Sequence, residues 1–137
     1  MKIWRSVLLT ALMLWSIVGW SGNDIPAAAQ KIIDAVNFPI YPDAVYCTGD
    51  PSMGMRLASS DSVEKVREWY RAQFPDWSVY EEYGGWILHP GPADAPMPVV
   101  MSGYQVSITQ NPALPEWHGL SADMTTEILI ALVKHEE

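Results

Sequence analysis

DSVEKVREWYRAQFP, residues 61–75, is the clearest element of the chain and decides its fold. Its apolar residues recur at intervals of three and four, the spacing that puts side chains on one face of an α-helix. They are Val63, Val66, Tyr70 and Phe74. Asp61 can cap the free N–H groups of the first turn, and Pro75 ends the pattern. We therefore predict an amphipathic helix, with Arg67 among the charged residues of its solvent-exposed face.

A strand pair lies on each side of this helix in the sequence. Before it, residues 45–48 form a short apolar run, and residues 53–59 alternate between apolar and small or polar side chains. After it, residues 77–82 and 86–89 are rich in apolar and aromatic side chains. The residues between this second pair are Tyr83-Gly84-Gly85, where glycine can supply the positive φ of a tight turn. The patterns predict two β-hairpins.

Other segments of the chain carry weaker signals. Residues 31–36 place their apolar side chains on one side and predict a short helix. Residues 99–109 alternate well enough for one strand bent at residues 102–103, or for two short strands. The proline-containing residues 90–98 and 110–119 predict loops.

The C-terminal residues 121–133 predict a last helix, capped by Ser121. Apolar residues occupy nearly all of its sides: Met124, Ile128, Leu129, Ile130, Ala131, Leu132 and Val133. Such a helix either lies at the centre of the core or packs on a second surface. A partner subunit could supply that surface, so the sequence leaves a homodimer open.

Taken together, these elements predict an α+β fold. Short hairpin connections favour antiparallel pairing, and amphipathic helices would cover one face of the sheet. We expect a two-layer sandwich: a mainly antiparallel sheet of about five strands, two main helices and a short N-terminal helix.

The N-terminus has the organisation of a signal peptide for export. Lys2 and Arg5 precede an apolar stretch at residues 7–18 that is short for a bilayer-spanning anchor. We expect cleavage after Ala29, at the end of an Ala-Ala-Ala sequence, with Ser21 as the other candidate position. Residues 30–137 then form a single α+β domain in the periplasm or secreted medium. The alternative is a retained membrane anchor.

Charge and cysteine content narrow the classes of partner. The formal net charge is −8, and removal of residues 1–29 makes the domain more acidic. Because phosphate binding requires clustered Lys and Arg, this composition argues against nucleic acid and anionic lipid as partners. Cys47 is the only cysteine, so no internal disulfide can form. We expect it to be a buried small hydrophobic residue, the alternative being an exposed thiol that could cross-link two chains.

Aromatic and histidine side chains are the candidate ligand-binding residues. They are Trp69, Tyr70, Tyr80, Tyr83, Trp86, His89, Trp117 and His118. Such side chains could line an apolar cleft, and packing into the core is the alternative for the aromatic ones. His89 could also meet one of Glu81 and Glu82 as an acid–base pair, although adjacent strand residues point to opposite faces.

Metal and cofactor signals are weak, and we predict neither. The histidines lack the close spacing of a metal site. Met53 and Met55 lie two apart near Cys47, and soft sulfur ligands of this kind suit monovalent copper. Two core methionines on one strand would give the same spacing, and that interpretation is favoured.

Two segments resemble the opening of a family of small secreted or periplasmic domains of unknown function. They are PIYPDA, residues 39–44, and SDSVEKVREWY, residues 60–70, followed by Trp77 where the next strand begins. Members of that family have a Tyr-Pro-(Gly/Asp)-Ala approach to the sheet and a helix with a Val-x-x-(Phe/Trp)-Tyr stripe. The resemblance covers residues 38–86 and implies a fold and an exported location, but no activity.

The sequence therefore favours an exported, non-enzymatic binding or accessory domain. Its partner would be an unidentified small molecule or protein, with no membrane contact after signal cleavage. Rigid scaffolds commonly present binding residues on loops, and residues 90–98 and 110–119 fit that role. The alternative is a small exported hydrolase-like enzyme that uses His89 or His118 with a carboxylate.

Overall fold

The structure is a computed structural model that describes residues 25–133. Residues 1–24 of the predicted signal peptide, which was expected to end at Ala29, lie outside the described residues. The described part contains four helices and six strands. In chain order they are α1 (Ala27–Val36), β1 (Val45–Asp50), β2 (Gly54–Ser59), α2 (Val63–Gln73), β3 (Ser78–Glu82), β4 (Gly85–His89), α3 (Met97–Val100), β5 (Gln105–Gln110), α4 (Leu114–His118) and β6 (Thr126–Ala131). None of these helices is long and apolar enough to span a bilayer.

All six strands belong to one open antiparallel sheet with the order β1-β2-β6-β5-β4-β3. Both predicted hairpins, β1–β2 and β3–β4, are confirmed. The strand β6 lies between β2 and β5. Because β5 pairs in turn with β4, the strands β6 and β5 connect the two hairpins into one sheet. The predicted two-layer α+β sandwich is thus confirmed, with six strands rather than about five.

The predicted C-terminal helix is wrong, because residues Thr126–Ala131 form the strand β6. Ile128 and Ile130 are completely buried on one face of the sheet, and Leu129 between them is half-buried on the other. A strand with apolar contacts on both faces reads as a continuous apolar run and resembles a buried helix segment in sequence. Ile128 and Ile130 pack within the core of this domain, whereas Leu129 remains partly accessible, and the homodimer stays a prediction.

Three other predictions differ from the structure in detail. The N-terminal helix is longer than expected and begins at Ala27. Where a strand was predicted from residue 99, the chain forms the short helix α3 with Pro98 in its first turn. The predicted loop at residues 110–119 contains the short helix α4, which ends at Gly119 in a left-handed conformation. The two short helices thus lie in the connections between β4 and β5 and between β5 and β6.

Helices α1 and α2 cover one face of the sheet, which we call the closed face. Ile33 of α1 and Val66 and Tyr70 of α2 pack against alternate side chains of the strands. Those strand residues are Met55, Leu57, Leu88, Val106, Ile108, Ile128 and Ile130. Burial of apolar surface on this face is the main stabilising contribution.

Polar contacts fix the position of α2 on the closed face. Ser62, rather than Asp61, caps the helix by accepting a hydrogen bond from the Lys65 N–H. Asp61 instead accepts from the Tyr41 hydroxyl at 2.5 Å, and burial together with this bond raises the pKa of Tyr41 to about 12. Arg67 is not on a purely solvated face: Nε and Nη2 both donate to the Ile108 carbonyl, at 3.1 and 2.8 Å.

Within residues 25–133, no long helix covers the opposite face, which we call the open face. Residues 90–104, with α3, cross one part of it, and Val100 and Ala95 pack there on Ile87. Residues 111–125, with α4, cross another part, where His118 approaches Arg56 of β2. The strand surface between these two connections remains accessible.

Candidate functional site

A cavity of about 410 Å³ lies on the open face, beside the connection that carries α3. Its floor contains one row of cross-strand neighbours, contributed in turn by β2, β6, β5 and β4. In register these are Arg56, Leu129, Ser107 and Ile87. Neighbouring strands lie about 4.8 Å apart, so this row is about 14 Å long. We call this cavity the open-face cleft.

The surface of the cleft is mainly apolar with a few polar groups. Thr48, Gln105 and Ser107 supply the uncharged polar side chains, and Gln105 is buried. Met53 and Met101 also line the cleft, and both are largely exposed, which places them at its rim. An apolar floor with a few fixed polar groups is typical of sites for small ligands.

Arg56 lies where the cleft meets α4, and three neighbours hold it. Its Nε is 3.1 Å from Oε2 of Glu127, so the two side chains form an ion pair. The Nε–H group does not form a hydrogen bond, because its geometry to this oxygen is unsuitable. Its Nη1 is 3.4 Å from Nε2 of His118, and since a guanidinium can only donate, His118 Nε2 is the acceptor. The guanidinium also lies 5.8 Å from the centre of the Trp117 ring.

Glu127 is a buried carboxylate behind Arg56, outside the lining of the cleft. Its Oε2 accepts a hydrogen bond of 2.9 Å from Asn111 Nδ2. Asn111 in turn accepts from the Ala113 N–H through Oδ1 and donates its own N–H to the Thr125 carbonyl. This chain of contacts ties the connection that carries α4 to the sheet and orients Arg56.

Cys47 lies in a β-bulge of the edge strand β1, between Tyr46 and Thr48. Burial raises the pKa of its thiol, the charge of Arg56 opposes that shift, and the charge of Glu127 adds to it. The thiol donates weakly to the Val45 carbonyl, at 3.6 Å. Since the thiolate is the reactive form of cysteine, this half-buried neutral thiol is a poor nucleophile.

His89 is buried under the connection formed by residues 90–104, with only 2% of its surface exposed. Its Nδ1 accepts from the Gly91 N–H at 3.1 Å, which puts the ring proton of the neutral form on Nε2. Nε2 is buried without a hydrogen-bond partner, and burial lowers the pKa of His89.

The hairpin register keeps His89 apart from the two glutamates considered as its partners. His89 pairs with Ser78, whereas Glu82 pairs with Gly85 at the other end of the hairpin. Four residues along a strand correspond to about 13 Å. Glu81 lies on the opposite face of the sheet. The acid–base pair does not form.

The eight side chains predicted as ligand-binding residues fall into four groups. Trp69, Tyr70 and Trp86 belong to the closed-face core or pack against it. Tyr80 packs on the open-face cluster around Ile87, and His89 is buried on the same face under residues 90–104. Tyr83 is 96% exposed at the hairpin turn. Trp117 and His118 lie together beside Arg56, next to the cleft.

Sequence reasoning missed the strand residues that form the cleft. Arg56 alternates with Met55 and Leu57, so the period of β2 already placed it on the other face. Glu127 was hidden by the predicted helix at residues 121–133. A strand assignment would have placed Glu127 on the same face as Leu129, but its contact with Arg56 depends on the pairing of β2 with β6.

The described residues give little support to a metal site. Residues 25–133 contain no group of three or more His, Cys, Asp and Glu side chains arranged to hold a metal ion. Met55 is completely buried in the closed face, whereas Met53 is 88% exposed at the rim of the cleft. The favoured interpretation of two core methionines therefore holds for Met55 and is wrong for Met53.

The cleft and the residues around Arg56 thus form the candidate site. Its polar groups come from strands and from a connection far apart in the sequence, held by an ion pair and by hydrogen bonds. Comparisons of the chain with protein-family models, with curated proteins and with solved structures found no match.

Proposed function

We propose that the chain is an exported, non-enzymatic binding or accessory domain that holds a small ligand in the open-face cleft. The cleft itself carries this proposal, because its volume of about 410 Å³ lies within the range of small-molecule sites. It is built on strands of a single sheet, so its floor is rigid and formed before a ligand arrives. Preformed sites reduce the entropy lost on binding.

The chemistry of the nearby side chains supports binding rather than catalysis. The Cys47 thiol is held in its neutral form, and His89 is covered by residues 90–104. The Nε2 atom of His118 faces Arg56, a cation, rather than a nucleophile. Nucleophilic catalysis requires a nucleophile within hydrogen-bond reach of a base. The hydrolase that uses His89 or His118 with a carboxylate stays an alternative prediction.

Cleft filling tests this function with a neutral apolar dye, N-phenyl-1-naphthylamine, whose fluorescence rises in apolar surroundings. The Ser107→Phe variant places a ring at the centre of the cleft floor. Its control, Ala72→Phe, adds the same ring at an exposed position of α2. We expect saturable dye binding by the wild type and by Ala72→Phe, and loss of binding in Ser107→Phe. Equal binding by all three proteins would overturn the proposal.

The packing of α1 also supports one of the two candidate cleavage points of the signal peptide. Ala29 is 1% exposed in the core, and Ile25 packs against the same cluster. Cleavage after Ala29 would remove both residues and the first turn of α1. We therefore propose cleavage after Ser21, which leaves α1 whole. N-terminal sequencing of the exported product should start at Gly22, and a start at Gln30 would overturn this assignment.

A further inference from the structure

We propose that the open-face cleft selects an amphipathic ligand with one carboxylate group, bound by Arg56, and a hydrocarbon body along the cleft floor. This proposal rests on the proposed function, since it names the ligand class of the same cleft. It makes Arg56 a specificity-determining residue.

The charge of the cleft comes from a single side chain. Among the described residues that line it, Arg56 alone is charged. Glu127 reaches Arg56 from outside the lining and approaches Nε. No acceptor among residues 25–133 bonds to Nη2, and 29% of the Arg56 side chain is exposed. The guanidinium therefore keeps an N–H edge for a ligand.

Carboxylate is the group that matches this arrangement. A guanidinium presents its N–H groups in a planar fork that fits the two oxygens of a carboxylate. The ion pair with Glu127 and the Trp117 ring restrict the rotation of the Arg56 side chain, so less freedom is lost when a ligand binds. Glu127 thus orients the guanidinium as well as balancing its charge.

The rest of the cleft requires a hydrocarbon body on the ligand. Beyond Arg56 the floor row continues through Leu129 and Ser107 to Ile87. Met53 and Met101 at the rim have flexible thioether side chains that adapt to different ligand shapes. The chain carries a net charge of −8, so a small bare anion is repelled at long range and needs apolar burial to be retained.

The test compares three ligands with the same eight-carbon chain: octanoate, octanol and octylammonium. The binding of each ligand to the mature chain is measured by calorimetry near neutral pH. Ligand concentrations stay below those at which the ligands aggregate. We expect octanoate to bind about tenfold more tightly than octanol, as for a hydrogen bond to a charged group. We expect octylammonium to bind more weakly than octanol.

Three variants test whether this preference depends on Arg56. The double variant Arg56→Gln/Glu127→Gln removes both charges without leaving either one unpaired, and the ratio of octanol to octanoate dissociation constants should fall to about one. The control Arg71→Gln removes an exposed charge from α2 and should keep the ratio of the wild type. Octanol binding by the double variant shows that its cleft is intact. The Arg56→Lys variant keeps the charge and should show an intermediate ratio of the two dissociation constants.

The outcomes separate this inference from the proposed function. If octanol and octanoate bind equally to the wild type, and Ser107→Phe abolishes both, the cleft is a binding site but the carboxylate preference is wrong. A preference that survives in the double variant would also overturn the role of Arg56. If neither ligand binds and the neutral dye does not bind either, both proposals fail.

Discussion

The closed and open faces of the sheet are built from the same strands but stabilised differently. On β6, Ile128 faces the helices and is completely buried, while its neighbour Leu129 faces the cleft and is half-buried. On β2, Met55 and Leu57 fill the closed face, and Arg56 between them forms an ion pair on the open face. One face supplies stability through apolar packing, and the other supplies an accessible, mainly apolar surface with a few polar groups.

This difference separates residues needed for folding from residues available for binding. A closed-face substitution creates a cavity in the core, whereas an open-face substitution changes a surface that water already reaches. The faces should therefore respond differently to matched substitutions on the same strand.

The largest effect is expected from truncating β6 on its closed face. Ile128→Ala should reduce the free energy of unfolding by about 3 to 4 kcal/mol, because it leaves a cavity among buried side chains. Leu129→Ala, on the neighbouring residue, should cost only about 1 kcal/mol, because it enlarges an accessible cleft. Urea denaturation of the two variants measures both values. Equal losses would show that the faces are not distinct.

The next effect concerns the ion pair of the open face. Glu127→Gln leaves Arg56 without its carboxylate and should lower the free energy of unfolding by about 2 kcal/mol, less than for a fully buried pair. Glu81→Gln, at an exposed position of β3, should change it by less than about 0.5 kcal/mol. Urea denaturation again provides the measurement. If the free energy of unfolding falls equally little in both variants, the Arg56–Glu127 pair does not stabilise the open face.

A smaller effect is expected from acid through His89. Burial lowers its pKa, so below the ordinary value of 6.5 the unfolded chain takes up a proton that the native ring does not. Stability is therefore complete above that value and falls as the pH drops through it toward the native pKa. His89→Asn should weaken this dependence relative to wild type. Thermal unfolding across this pH range, with identical slopes for the two proteins, would exclude the effect.

The smallest effect, with the opposite sign, is expected at a residue on neither face. Tyr83 is fully exposed in the β3–β4 turn and adopts a positive φ of 53°, which asparagine tolerates better than tyrosine. Tyr83→Asn should raise the free energy of unfolding by about 0.5 kcal/mol. Octanoate affinity should not change, since Tyr83 does not line the cleft. A loss of affinity would return Tyr83 to the list of ligand-binding residues.

The closed face could be predicted from sequence because its signals are local. The spacing of Val63, Val66 and Tyr70 depends only on α2 itself, and the two hairpins depend on short turns. For β6 the local signal is ambiguous, because a strand that is apolar on both faces lacks the alternation of a half-buried strand. Its true assignment follows from pairing with β2 and β5, which are distant in sequence.

The cleft could not be predicted for the same reason. Arg56, Glu127 and Asn111 come from three separate segments, and only the order of the strands brings them together. The aromatic residues that stood out in the sequence instead include several, such as Tyr70 and Trp86, that pack into the closed-face core. Large aromatic side chains are conspicuous in sequence whether they fill a core or line a site.

Methyl NMR of the methionines distinguishes the two faces directly during an octanoate titration. Met53 and Met101 lie at the rim of the cleft, and Met55 is buried on the closed face as an internal control. If the ligand occupies the open-face cleft, the Met53 and Met101 methyl signals shift together and saturate, while the Met55 signal stays nearly unchanged. A saturable shift of Met55 alone, with Met53 and Met101 unaffected, would contradict binding at the open face.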